Sequence, residues 1–279
     1  MEFAKYQGIG NDFVMIADPD DRIRLDEDLA RRLSDRRFGI GGDGVIRVVP
    51  GREGGELFMD YYNSDGSIGE MCGNGIRCLA IFAREKGMTT SSEIKVETRA
   101  GLKVVQVEGD NVRVDMGPPE FDAARIPVRT DGDPLHVTID LGDSSFEAAT
   151  VGIGNPHAVI FTDDPEAVPL ENLGPRIETH SMFPQMANVE FARVDSPDRV
   201  RMRVWERGSG QTLACGTGAC AVAVIGRVLA GMNPVVAVQM PGGELEVEWT
   251  GSVDDPSPVY MTGPAEKSFE GAVDIEGLN

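Results

Sequence analysis

The chain reads as an α/β protein of the α+β type. Two pseudo-symmetric domains from an internal duplication are expected, each a mostly antiparallel sheet wrapped around a central apolar helix. Three observations predict this. A cysteine followed by a Gly-x-Gly turn and an apolar helical run occurs twice, as Met71-Cys72-Gly73-Asn74-Gly75 and Ala214-Cys215-Gly216-Thr217-Gly218. Other anchors recur in the same order at nearly one offset. Gly10-Asn11 returns as Gly154-Asn155, 144 positions on; the two cysteines lie 143 apart; Gly117-Pro118 returns as Gly263-Pro264, 146 positions on. Matching order at matching spacing marks a repeated unit. Finally, alternating apolar and polar runs separated by turn residues follow each helical run, the pattern of hairpin-linked strands.

The elements follow in order. The first half opens with an apolar strand closing on Gly10-Asn11. A helix is predicted over 26–37, with Leu25, Leu29 and Leu33 on one face. A strand over 57–62 leads into the first cysteine turn, and a helix runs from Gly73 through Leu79, Phe82 and Ala83 to Gly87, a residue suited to the left-handed position past a helix end. Strands over 94–98, 102–107 and 112–116 complete the unit, with a turn at Gly109-Asp110. The second half repeats the series: a strand closing on Gly154-Asn155, a weaker helix over 170–177, a strand over 200–205, a helix from Gly216 to Gly231, and strands over 235–240, 245–249 and 259–261. Both Gly-x-Gly helices are apolar on nearly every face, so both belong in a core. The predicted domains are 1–117, completed by 264–279, and 118–263.

Composition limits the function. The chain has 279 residues, enough for two domains of ordinary size. Its net charge of −20 disfavours nucleic acid and anionic membrane surfaces as partners. Met1-Glu2-Phe3-Ala4-Lys5 runs into a polar turn rather than a secretory apolar segment. Four cysteines in a chain of this length do not form a disulfide framework. A cytoplasmic protein with reduced thiols is expected.

Cys78 and Cys220 lie inside the apolar runs and read as small core residues. Cys72 and Cys215 stand at helix N-termini, where unpaired N–H groups and the positive end of the helix dipole are expected to lower a thiol's pKa. The N–H groups of Gly73 and Asn74, and of Gly216 and Thr217, offer two anion sites. A carboxylate held between them, in a cleft between the domains, would have a thiol on each face of its neighbouring carbon. That is the arrangement for taking a proton from one face and returning one to the other, with one thiol ionised and one protonated.

On Gly10-Asn11-Asp12-Phe13, Asn63-Ser64-Asp65-Gly66, the two cysteine turns, Gly154-Asn155-Pro156-His157, Asn188-Val189-Glu190 and Trp205-Glu206-Arg207-Gly208, essentially the whole chain resembles the diaminopimelate epimerases. The resemblance implies a pyridoxal-phosphate-independent homodimer, with no cofactor and no metal, that interconverts LL- and meso-diaminopimelate in lysine and cell-wall biosynthesis. It implies that Cys72 and Cys215 are the acid/base thiols. Gly73, Asn74, Gly216 and Thr217 would hold the reacting carboxylate. Asn11, Asn63, Asn155, Asn188, Glu206 and Arg207 would bind the rest of the substrate, with Arg207 gripping the distal carboxylate. His157 and Glu206 would bias the protonation of the thiols. One position departs from the pattern: many members carry Gln where this chain has Gly44.

Three rivals remain at this point. A proline or hydroxyproline racemase would share the fold but leave Glu206, Arg207 and the asparagines little to bind. A zinc or redox protein would need cysteines closer than Cys72 to Cys78 or Cys215 to Cys220, whose spacings are not Cys-x-x-Cys. A pyridoxal-phosphate enzyme would be coloured.

Overall fold

Two units divide the chain in the computed structural model, one of Met1–Val114 with Thr262–Asn279 and one of Asp115–Met261. Residues 1–275 and Gly277 are described. Positions 276, 278 and 279, part of the predicted 264–279 return, lie outside the described residues.

The first unit contains β1 (Glu2–Gly8), β2 (Asn11–Ala17), α1 (Glu27–Ser34), β3 (Gly44–Pro50), β4 (Leu57–Asn63), α2 (Gly73–Glu85), β5 (Glu93–Thr98), β6 (Gly101–Glu108) and most of β7 (Asn111–Gly117). The second contains β8 (Val137–Asp140), β9 (Ser145–Gly152), β10 (Pro156–Phe161), α3 (Leu170–Glu178), β11 (Asn188–Ser196), β12 (Arg199–Glu206), β13 (Gly210–Thr212), α4 (Gly216–Ala230), β14 (Val235–Met240), β15 (Gly243–Glu248) and the start of β16 (Val259–Pro264). The final strand, β17 (Glu266–Ala272), runs antiparallel to β1 in the first unit.

The duplication is visible in the strand pairing. In the first unit β1–β2 is antiparallel, β2–β3 parallel, β3–β4 antiparallel, β4–β5 parallel and β5–β6 antiparallel. In the second the same alternation runs through β9–β10, β10–β11, β11–β12, β12–β14 and β14–β15. Both units are therefore mixed α/β folds in which antiparallel pairs predominate.

Each sheet wraps a buried helix. In α2, Ile76, Cys78, Leu79, Ala80, Phe82 and Ala83 are all buried, and Phe82 meets the Tyr6 ring edge-on at 5.6 Å. In α4 the run Ala219 to Ile225 is buried throughout. Burying one such aliphatic or aromatic side chain contributes about 1.5–3 kcal/mol. α4 ends at Gly231, which takes the left-handed conformation (φ 66°) that a side chain would strain.

Two expectations need correction. The helix predicted over 26–37 is shorter. Asp26 caps α1 by accepting from the Leu29 N–H at 3.0 Å, and the helix stops at Asp35. There the Asp35 carboxylate accepts from the N–H groups of Arg37 and Phe38, both at 2.7 Å, so a side-chain turn replaces the next helical turn. Strands β2, β3, β10 and β11 are also additional to the predicted elements. They are buried over most of their length on both faces, so their sequences lack the polar alternation that marks a half-buried strand.

Among the described residues, no helix is long and apolar enough to cross a membrane.

Candidate active site

The two cysteine turns are built alike. Cys72 is the N-cap of α2, in extended backbone (φ −135°, ψ 121°), and its Sγ accepts from the Gly75 N–H at 3.4 Å. Cys215 is the N-cap of α4 (φ −127°, ψ 114°), and its Sγ accepts from the Gly218 N–H, again at 3.4 Å. A thiol thus takes the place usually filled by Ser or Asp. The third residue of each turn is glycine, and a Cβ there would push neighbouring side chains aside. At Gly75 that atom would lie 2.7 Å from Ile46 Cδ1; at Gly218 it would lie 2.8 Å from Glu190 Oε1 and 3.3 Å from Cys215 Sγ. All four cysteines are free thiols. Burial pushes the Cys78 thiol up to about 12, in keeping with an inert core role.

Around Cys72 the first unit gathers Asn11, Gly73 and Asn74. Asn11 Oδ1 accepts from Asn74 Nδ2 at 3.1 Å and lies 3.7 Å from Cys72 Sγ. Asn11 Nδ2 donates to Asp43 at 2.7 Å, and Arg36 bridges Asp43 to Asp12. Burial would raise the Asp12 carboxyl, but Arg36 and Lys5 hold it down at about 2, so this network is a fixed support. Asn74 Oδ1 accepts from the fully buried Arg77, which also reaches the Gly73 and Pro264 carbonyls. The Asn74 side chain is therefore engaged at both its oxygen and its nitrogen. Asn63 belongs to a neighbouring network, accepting from the Tyr61 hydroxyl at 2.7 Å and donating to Ser67 at 2.9 Å.

Around Cys215 the second unit gathers Thr217, Glu206, Glu190, His157 and Asn155. The Thr217 hydroxyl lies 3.5 Å from Cys215 Sγ. Thr212 donates to Glu206, and Cys215 also bonds to it. Burial pushes Glu206 above the usual carboxylate range, against those two hydrogen bonds. His157 is fully buried, with Nδ1 2.7 Å from Glu190 Oε1 and Nε2 2.8 Å from Asn155 Oδ1.

The expected depression of the Cys215 pKa is overturned. Burial first, and then the Glu206 and Glu190 carboxylates, drive this thiol well above its ordinary value; the Thr217 hydroxyl and the Gly218 N–H act in the opposite direction but are outweighed. Asn188 stands on the strand beside His157. It is buried, its Nδ2 donates to the Pro156 carbonyl at 3.1 Å, and its Oδ1 accepts from the Arg207 N–H at 3.0 Å. Its amide oxygen and one amide hydrogen are thus used in fixing the Arg207 backbone. Arg207 itself is half-buried, with Nη1 3.4 Å from the Gln185 carbonyl.

Two surface hollows lie away from these groups, one lined by Phe161, Arg193 and Ala230 and the other by Ile81, Arg84 and Thr90. Neither contains a cysteine. Among the described residues, no three His, Cys, Asp or Glu side chains are grouped to hold a metal ion.

Comparison with known proteins decides the family. The family model for diaminopimelate epimerase matches residues 3–121 and 149–268. The chain belongs to the diaminopimelate epimerase family. A diaminopimelate epimerase from Desulforudis audaxviator is 46% identical over 97% of this chain and 98% of its own length. One from Methanococcus maripaludis is 42% identical over 99% of this chain and all of its own. Among solved structures, a probable proline racemase from Agrobacterium radiobacter K84, crystallised with bound carbonate, superposes with a TM-score of 0.72. It covers 98% of this chain and 92% of its own at 17% identity, a likeness of fold alone.

The glycine at position 44 has a local explanation in this chain. A Cβ on Gly44 would lie 2.5 Å from the Tyr62 carbonyl oxygen and 2.7 Å from the Tyr61 ring, and a Cβ on Gly69 would lie 2.2 Å from the same ring. The Tyr61 ring thus occupies the space beside both glycines. Gly44→Gln is expected to destabilise the fold by about 1–3 kcal/mol, the usual cost of overpacking. Thermal melting checks this, and an unchanged melting temperature would mean that β3 and β4 part without cost. Among the residues around Cys215, Glu190 is the one that the sequence reading did not assign. Its signal was there: an acid in the middle of the apolar run Val189-Glu190-Phe191-Ala192.

Proposed function

We propose that this protein interconverts LL- and meso-diaminopimelate by a two-base reaction that needs no pyridoxal phosphate. One thiol from each unit would reach opposite faces of a single α-carbon. The observation that carries this reading is the paired cap geometry, in which Cys72 and Cys215 hold nearly the same backbone angles at the starts of the two buried helices. Backbone N–H groups beside each thiol suit a carboxylate, and negative charge building on that carboxylate during α-proton removal would be stabilised there. Substrate binding is assigned to Asn11, Asn63, Gly73, Asn74, Asn155, Glu206, Arg207, Gly216 and Thr217, with Asn188 acting through the Arg207 backbone. His157 and Glu206 adjust the Cys215 end. The protein is taken to be a cytoplasmic homodimer in lysine and cell-wall precursor biosynthesis, organised as domains 1–117 with 264–279 and 118–263.

The two thiols have different resting states in this reading. Buried beside two carboxylates, Cys215 rests as the thiol and serves as the acid; Cys72 serves as the base. Because the Cys215 pKa is raised, kcat/KM should hold to a pH above the ordinary thiol range before an alkaline limb sets in. The test is conversion of LL-diaminopimelate to the meso form, followed by chiral chromatography across pH, with proline and lysine as alternatives. An alkaline limb at or below the ordinary thiol pKa would reject the assignment of Cys215, and comparable turnover of proline would reject the substrate.

A further inference from the structure

We propose that Glu190 is a positioning residue of the reaction: its carboxylate pins the His157 ring and stands against the Cys215 thiol, holding the two in one arrangement. The proposal rests on the epimerase reading above.

Glu190 and His157 are both fully buried, on the neighbouring parallel strands β11 and β10, and meet at 2.7 Å through Oε1 and Nδ1. Both ring nitrogens face oxygen atoms, Glu190 Oε1 on one side and Asn155 Oδ1 on the other. Donation from Nδ1 gives Glu190 Oε1 a hydrogen-bond partner inside the core. Such pairing is what permits a carboxylate at this depth. The second carboxylate oxygen, Oε2, is buried and has no hydrogen-bond partner among the described residues. An oxygen left in that condition costs stability, so packing and backbone demands alone would favour an apolar residue here.

The position of Oε1 indicates a use. It and Cys215 Sγ border the same missing Cβ at Gly218, at 2.8 and 3.3 Å. One carboxylate oxygen thus touches the histidine and lies, with the thiol, around the same point at Gly218. The charged or titratable groups gathered on this spot are His157 from β10, Glu206 from β12 and Cys215 at the start of α4; Thr217 adds a hydroxyl. Glu190 adds to the charge that keeps Cys215 protonated, and it keeps His157 from turning away from Asn155.

The experiment has one arm that needs no substrate. The chain has three histidines, so nitrogen-15 spectra of the rings are assignable with His136→Gln and His180→Gln controls. Wild-type His157 should show an exchange-protected proton on Nδ1; an unprotonated Nδ1 would overturn the proposal. Glu190→Gln, which keeps the shape and removes the charge, should lower kcat roughly 10- to 100-fold, the usual cost of losing a group that orients a working side chain. KM should change little, the alkaline limb of kcat/KM should move to lower pH, and Glu190→Asp should recover part of the loss. Wild-type kcat and an unmoved limb in Glu190→Gln would overturn the proposal. So would a lowered melting temperature with no change in the limb, which is the mark of a structural role. If Glu190→Gln does not fold, the wild-type ring spectrum and Glu190→Asp decide. If the wild type does not turn over diaminopimelate, the proposed function fails, and the ring spectrum with a thiol titration of Cys215 judges Glu190 separately.

Discussion

Cys72→Ser and Cys215→Ser should each lose nearly all epimerisation, by about 10²–10⁴-fold or more, the range that positioned acid/base groups contribute. Serine keeps the cap, since its oxygen still accepts from the Gly75 or Gly218 N–H, so fold and helix start should survive. What it removes is a group able to ionise near neutrality. Epimerisation needs a base on one face and an acid on the other, so one serine suffices to stop turnover. The two mutants should nevertheless differ. A mutant that keeps the base for one isomer can still remove that isomer's α-proton and return solvent deuterium to the same face. Residual exchange in Cys72→Ser and Cys215→Ser should therefore show opposite isomer preference, read by NMR of recovered substrate in deuterated water. Near-normal epimerisation by either mutant would contradict the two-base reading.

Arg207→Lys should cost roughly 2–4 kcal/mol in kcat/KM, the scale for truncating one partner of a desolvated charge pair. The backbone around Arg207 is fixed before any ligand arrives. Asn188 holds the Arg207 N–H, and Glu178 holds the Gly208 N–H at 2.7 Å. A guanidinium on so firm a base can meet a carboxylate with two parallel hydrogen bonds, which an ammonium cannot reproduce. Steady-state kinetics of Arg207→Lys on diaminopimelate checks this; wild-type kcat/KM would remove Arg207 from the distal end of the substrate. Asn188→Ala should act in the same direction through the loosened backbone.

How much of this was legible in the sequence depends on how local each feature is. The cysteine caps were legible because the cap, the Gly-x-Gly turn and the helix lie within a few residues of one another. The duplication was legible because its anchors repeat in order. Features set by distant partners were not. The helix-start N–H of Gly218 is local and does act to lower the Cys215 pKa, but burial first, and then Glu206 and Glu190 arriving from the end of β12 and from β11, reverse the outcome. The end of α1 turned on which backbone groups the Asp35 side chain would take, a choice that a helical periodicity does not encode. Strands β2, β3, β10 and β11 were hidden by their own burial, since a strand covered on both faces has no polar face to alternate with. The glycine at position 44 stood out in the sequence without a reason; the reason is the Tyr61 ring and the Tyr62 carbonyl, which come from the neighbouring strand.

The central claim is that two thiols serve one carbon from opposite faces, and solvent labelling tests it most directly. Wild-type protein is incubated with LL-diaminopimelate in deuterated water and sampled while little has reacted. With one base on each face, the meso product carries deuterium at the inverted α-carbon, while the recovered LL isomer remains largely protiated, because the proton removed is not the one returned. A single base working on both faces would give meso product that retains the substrate's own hydrogen, and that result would contradict the account.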